Sequence, residues 1–122
     1  MFNIDAMSRT PVYEQIVLQV ERLCRLGVLK AGDQLPSVRA LSLTLSVNPN
    51  TIQKAYSELD ARGLATSVPG KGCFISRTSE DALAEAKEKK LSELTETVKA
   101  LKADGLTADE ILRAVEKALD KN

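Results

Sequence analysis

The chain has 122 residues, room for one small domain with an appendage but not for a large ligand-binding domain beside it. It holds 17 basic and 17 acidic residues, no His, and two distant cysteines, Cys24 and Cys73, so one chain cannot assemble a structural zinc site or a Cys-His nucleophile, and no metal or other cofactor is expected. The apolar runs are too short to span a bilayer and the first residues lack the basic and apolar regions of a secretory signal, so a cytoplasmic protein without membrane contact is expected.

The zero net charge is unevenly distributed. Residues 1–78 carry 9 Lys and Arg against 6 Asp and Glu, whereas residues 79–122 carry 8 against 11. A mildly basic front suits a polyanion, and an acidic tail is repelled by one.

The first helix is expected to start with Thr10 as N-cap and Pro11 at its first position, and to end near Gly27. Val12, Ile16, Val20, Leu23 and Cys24 form its buried stripe, with Cys24 acting as a small hydrophobe. Ala31-Gly32-Asp33-Gln34 is turn chemistry, after which Ser37 caps a second helix with Val38, Leu41 and Leu45 inward. Ser46-Val47-Asn48 ends that helix, and Asn48 and Pro49 open a third as cap and first residue, which is a helix-turn-helix pattern.

The third helix divides sharply into two faces. At about 100° per residue, Ile52, Ala55, Tyr56, Leu59 and Gly63 share one face, while Asn50, Gln53, Lys54 and Ser57 share the opposite one. Asn and Gln can pair bidentately with adenine in the major groove, Lys can reach guanine or phosphate, and Thr51 or Ser57 can bind phosphate oxygens. Leu64–Val68 and Cys73–Ser76 flank Pro69-Gly70-Lys71-Gly72 and form a hairpin, the wing.

Ser79 is expected to cap a long fourth helix, in which Ala84, Leu91, Leu94, Val98 and Leu101 recur at three- and four-residue spacing as a coiled-coil seam. Gly105 stops it. Thr107 and Glu110 form a capping box, with Leu106 and Ile111 as a hydrophobic staple, for a last helix whose Ile111, Leu112, Val115, Ala118 and Leu119 make another apolar face. Two helices cannot cover both faces, and a second copy of the chain is the economical cover. The dimerisation residues expected are Leu91, Leu94, Val98, Leu101, Ile111 and Val115.

One ordered set of motifs now stands out: Pro11-Val12-Tyr13-Glu14-Gln15-Ile16, Gly32-Asp33-Gln34-Leu35-Pro36-Ser37-Val38-Arg39, Val47-Asn48-Pro49-Asn50-Thr51, Lys54-Ala55-Tyr56 with Glu58-Leu59, Gly63-Leu64, and Gly70-Lys71-Gly72. Over roughly residues 10–76 the chain resembles the GntR family of bacterial winged-helix transcription regulators, and its short tail resembles the YtrA-type branch, whose C-terminal part chiefly dimerises the protein. The resemblance implies a mainly α fold with a small β-hairpin wing: a winged helix-turn-helix DNA-binding domain over residues 1–77 and a two-helix dimerisation or effector region over 78–122. It implies that Ser37 and Arg39 contact phosphate and bases, that Asn48, Asn50, Thr51, Gln53 and Lys54 begin the recognition helix, and that Lys71 and Gly72 form the wing tip near the minor groove. The wider family has arginines after the turn and three or four residues later. Pro49 and Gln53 stand there in this chain, in agreement with the YtrA-type pattern and away from guanine readout.

The expected function is thus a homodimeric, sequence-specific regulator, a repressor, on a partly palindromic double-stranded DNA operator. A small-molecule effector is compatible, though no residue marks one. Plainer roles exist for single residues: Arg39 as a surface ion-pair partner of Asp33 or Glu58, worth under about 1 kcal/mol, and Cys73 as a spectator with only Lys71 and Arg77 nearby to lower its pKa. The alternative for the whole chain is a winged-helix protein-interaction module without specific DNA binding. No catalytic residues are expected, because no nucleophile-base pair or large pocket is evident.

Overall fold

The computed structural model describes residues 2–120. The elements run α1 (Val12–Arg25), α2 (Val38–Leu45), α3 (Pro49–Ala61), β1 (Ala65–Val68), β2 (Gly72–Ile75), α4 (Ser79–Ala103) and α5 (Ala108–Leu119). The chain divides into two compact units, with the boundary between Ala84 and Glu85 inside α4.

In the first unit, α1 and α3 supply the centre of the core. Ile16, Val17 and Val20 of α1 meet Ile52, Ala55 and Leu59 of α3 with no exposed surface, and Leu35, Leu41, Leu64 and Ile75 close round them. Complete burial of one such aliphatic side chain is worth roughly 1.5–3 kcal/mol, so this cluster fixes the angle at which α3 is presented. Val12, Leu23 and Cys24 are half-buried at its edge, and Val17, which the expected stripe omitted, lies at its centre.

The start of α1 differs from the expected one. Pro11 itself is the N-cap, with ψ 147°, and no side chain caps the helix; Thr10 lies outside it. The side chain of Gln15 organises this end instead: its Oε1 accepts from Asp5 N–H at 2.8 Å, and its Nε2 donates to the carbonyls of Asp5 and Thr10, each at 2.9 Å. One turn on, Gln19 exchanges the same pair of hydrogen bonds with Asn3. Two amides at i and i+4 thus bind the leading segment as a neighbouring strand would, and Phe2 is drawn into the core.

The helix-turn-helix corner forms as expected. Ser37 Oγ accepts from Ala40 N–H at 3.0 Å to cap α2. Asn48 Oδ1 accepts from Asn50 N–H at 2.8 Å to cap α3, with Pro49 at the first helical position, where its missing N–H costs nothing. Between them Ser46 takes the left-handed conformation, φ 54°. Ser42 Oγ donates to the Val47 carbonyl at 2.6 Å and secures the turn from inside.

The wing is a β1-β2 antiparallel hairpin in register Ala65↔Ile75 to Val68↔Gly72. Its strands begin one residue later and at Gly72 rather than Cys73, and end at Val68 and Ile75. Gly32-Asp33-Gln34, from the stretch 31–34 expected to be only a turn, and Leu35 after it also line β2: Leu35 N–H donates to the Cys73 carbonyl and Ile75 N–H to that of Asp33, both at 2.8 Å. A turn with inward Leu35 can satisfy the free edge of β2 and bury an apolar side chain at once, which explains the added pairing.

Ser79 is the first residue of α4 rather than its cap, and the Thr78 carbonyl accepts the first helical bond, from Ala82 N–H at 2.9 Å. Ser79 is buried, and Ala82 and Leu83 pack against the head's core. In the second unit, Thr107 and Glu110 form the expected capping box at the start of α5.

Candidate nucleic-acid interface

Opposite its buried face, α3 presents Asn50, Gln53, Lys54 and Ser57, all exposed. The two faces follow from the 3.6-residue period alone, since Ile52, Ala55, Tyr56 and Leu59 are fully covered. Thr51 is half-buried, and its N–H donates to the Asn48 carbonyl at 2.9 Å. Asn48 spends its amide oxygen on the cap, leaving the NH2 as the outward group, a donor only. Gln53 makes one long contact, Nε2 to Ser57 Oγ at 3.4 Å, so its amide edge is not committed within the protein.

At the foot of α2, the Ser37 hydroxyl accepts the capping bond and keeps its own proton free to donate to a phosphate. Arg39 is exposed and makes no ion pair among the described residues: Asp33 accepts from Lys30 N–H at 2.8 Å, and Glu58 is held by Arg62 at 3.0 Å. Neither of the partners that would have explained Arg39 as surface decoration pairs with it.

Tyr56 links these two segments. Its hydroxyl donates to the Pro36 carbonyl at 2.6 Å, fixing the approach to Ser37 from the buried side of α3. Burial, followed by the charge of Cys73, pushes its pKa well up, so it remains a neutral donor. The Cys73 thiol is itself buried and pushed up, chiefly by desolvation, and is a poor nucleophile for that reason.

On the wing, Lys71 is exposed at the tip and Gly72 begins β2. Gly72 has φ +123°, and a Cβ there would stand 2.8 Å from Gln34 Nε2. The glycine thus has a packing reason within the protein in addition to any approach to DNA.

Three side chains of this region were given no site role by the sequence. Gln34 donates from Nε2 to the Lys71 carbonyl at 3.0 Å. Tyr13 of α1 lies under the Lys54 ammonium, 4.1 Å from ring centroid to Nζ. Glu21, buried on α1, accepts from Arg62 at the end of α3 at 2.7 Å, and Arg62 also holds Glu58. Desolvation alone would lower the Arg62 pKa, but its hydrogen bonds to Glu21 and Glu58 outweigh it and raise the value.

The second unit brings Leu91, Leu94, Val98 and Leu101 into one stripe along α4, the first two exposed and the last two half-buried. On α5, Val115 is exposed with Leu112 and Leu119, whereas Ile111 is buried within the chain. Among the described residues no His, Cys, Asp and Glu side chains gather as a metal site, and no helix is long and apolar enough to cross a membrane.

Known proteins share this arrangement. The family model for bacterial regulatory proteins, gntR family, matches residues 12–75. The HTH-type transcriptional repressor YtrA of Bacillus subtilis is 46% identical over 87 residues, 71% of this chain and 67% of that protein. The crystal structure of a transcriptional regulator from Oenococcus oeni superposes with a TM-score of 0.69 at 33% identity, covering 98% of this chain and 99% of that one. AraR(DBD), solved in complex with operator ORX1, has a TM-score of 0.55 at 26% identity, over 62% of this chain and 93% of its own. The helix-turn-helix, its wing and these likenesses together show that the chain belongs to the gntR family of bacterial regulatory proteins, as a DNA-binding transcriptional regulator of winged-helix fold.

Proposed function

We propose that the chain is a repressor that acts in the cytoplasm as a homodimer on a partly palindromic double-stranded operator and performs no catalysis. The observation that carries this reading is the polar stripe of α3: Asn50, Gln53, Lys54 and Ser57 are exposed along the face opposite a wholly buried one. In a helix-turn-helix the second helix lies in the major groove with its N-terminal residues at the base edges, which is where these side chains stand. Ser37 and Arg39 flank that stripe as contacts to phosphate and bases, Asn48 and Thr51 stand at its start, and Lys71 and Gly72 extend the contact along the duplex from the wing.

The exposed leucines of the tail support a second copy. Leu91 is 59% exposed, Leu94 50%, Leu112 58% and Leu119 66%. Leu91 and Leu94 lie on the α4 seam, Leu112 and Leu119 on the apolar face of α5. A self-complementary pairing of tails covers them and sets two recognition helices about 34 Å apart, one turn of DNA. Such a dimer represses by occupying a promoter, and the basic front supplies a salt-dependent share of the affinity. The repressor naming of the Bacillus subtilis relative supports the direction of regulation. The reading needs no small-molecule effector.

The deciding experiment is selection of duplexes from a random pool by the purified protein, followed by sequencing. A partly palindromic motif rich in A·T pairs at the positions facing Asn50 and Gln53 is expected. An unenriched pool, with no specific band on the gene's own upstream DNA at any salt concentration, rejects the reading in favour of a protein-docking module.

A further inference from the structure

The three polar positions of α3 do not stand alike. Relative to Asn50, Lys54 is rotated about 40° one way round the helix and Gln53 about 60° the other. On the Lys54 side, Glu58 and Arg62 run one turn apart down to Glu21 of α1. On the Gln53 side, Tyr56 reaches the Pro36 carbonyl at the foot of α2. Lys54 therefore leans toward α1, and there its ammonium rests over the Tyr13 ring, 4.1 Å from the centroid.

A carboxylate four residues on is within reach of a helical lysine. Glu58 occupies that position, but its Oε1 accepts from Arg62 Nε at 3.0 Å. The ammonium is held by a neutral ring instead of a carboxylate. A ring orients the cation through its quadrupole without cancelling its charge and without adding a negative group that repels phosphate. Tyr13 is itself half-buried against the core, so the ring is a fixed support.

We propose that Tyr13 is a positioning residue of the DNA interface: its ring holds the Lys54 ammonium beside the reading stripe, making Lys54 an anchor for a backbone phosphate and leaving the base edges to Asn50 and Gln53. This inference rests on α3 being the reading helix, and it adds a residue of α1, outside the helix-turn-helix, to the interface. Lys54 then contributes register and salt-dependent affinity, with no sequence information of its own.

The test is binding of the full chain to a pool-selected duplex and to a scrambled one, over a series of salt concentrations. Lys54→Gln is expected to weaken both duplexes by the same factor and to reduce the slope of log affinity against log salt by about 1. Tyr13→Leu is expected to weaken both by about two- to fivefold, the worth of an exposed cation–π contact, and to have no effect in a Lys54→Gln chain. Tyr13→Phe, which keeps the ring, is expected to bind as the parent does. Equal losses from Tyr13→Leu with and without Lys54 overturn the proposal, as does a Lys54→Gln change in base preference at one operator position. A measurement free of substitution stands beside these: the Lys54 ε-methylene protons should be shifted upfield by the ring current, and unshifted resonances in the free protein also overturn it. Unchanged sequence preference after both Asn50→Ala and Gln53→Ala is the separate result that rejects α3 as the reading helix.

Discussion

Gln34 donates from Nε2 to the Lys71 carbonyl at 3.0 Å, joining the segment just before α2 to the tip of the wing. Three residues later the same segment reaches Ser37, the α2 cap, so a single amide couples two candidate phosphate-binding regions. Gln34→Ala removes that tie while leaving the strand register intact. Affinity for all duplexes should fall by the worth of one hydrogen bond, roughly two- to tenfold, with base preference unchanged. Gly72→Ala should act on the same contact from the other side. Its Cβ meets Gln34 Nε2 at 2.8 Å, and its φ of +123° remains strained even in a Gln34→Ala chain. The double variant should therefore still be less stable than Gln34→Ala alone, as read from urea melts.

Tyr56 gives the head an alkaline limit. Its pKa is raised from an ordinary 10 by burial and by the neighbouring Cys73. A folded-state value above the unfolded one means the stabilisation is fully present below about pH 10 and is lost as pH rises through the folded value. Tyr56→Phe should cost about 1–2 kcal/mol at neutral pH, because the Pro36 carbonyl loses its donor. The variant should also lose less stability than the parent between neutral pH and about pH 11. The buried Cys73 thiol, raised likewise from 9.0, leaves it a remaining alkaline dependence. Urea midpoints for both proteins across that range check the sign, and parallel losses would contradict it.

The contrast between what the chain shows locally and what it conceals has a physical basis. The face of α3, the Asn48-Pro49 start and the Thr107-Glu110 box were readable because each is decided within about four residues. Pro11 was not, since a proline at the cap and one at the first helical position look the same locally; the choice was made by Gln15 binding Asp5 across ten residues. Glu21 looks like a solvated helix residue until Arg62, 41 positions later, comes to rest on it. Gln34 looks like turn chemistry until β2 arrives beside it, and Tyr13 has no partner of its own until Lys54 folds over its ring. Each missed contact joins elements distant in sequence, and its partner is identified only by the fold. The exposed polar stripe of α3 was legible, and the side chains packed around it were not.

Gln53 should be the most informative single position for sequence preference. Its amide edge is exposed, with only a 3.4 Å contact to Ser57. Gln53→Ala should relax preference at one operator position per half-site at a cost of roughly 1–3 kcal/mol for the preferred base pair, leaving the salt slope unmoved. Pool selection repeated with the variant measures this directly. A uniform loss across sequences, with every position still preferred, would place Gln53 on the backbone instead.

The tail offers a test in which dimerisation and folding separate. Leu94 is half exposed on the α4 seam, whereas Ile111 is buried inside its own chain. Leu94→Asp should leave the secondary structure of a single chain intact, because it inserts a charge where a lone chain already meets solvent, and should dissociate the dimer by placing two carboxylates in an apolar seam. Ile111→Asp should instead destabilise the chain itself, by several kcal/mol at most sites of this kind. Sedimentation should find the Leu94→Asp protein monomeric with unaltered helical circular dichroism. Its affinity should fall steeply on a two-half-site duplex and little on a single half-site, because only the former uses both recognition helices. An unchanged dimer after Leu94→Asp would locate the self-association surface away from the α4 seam.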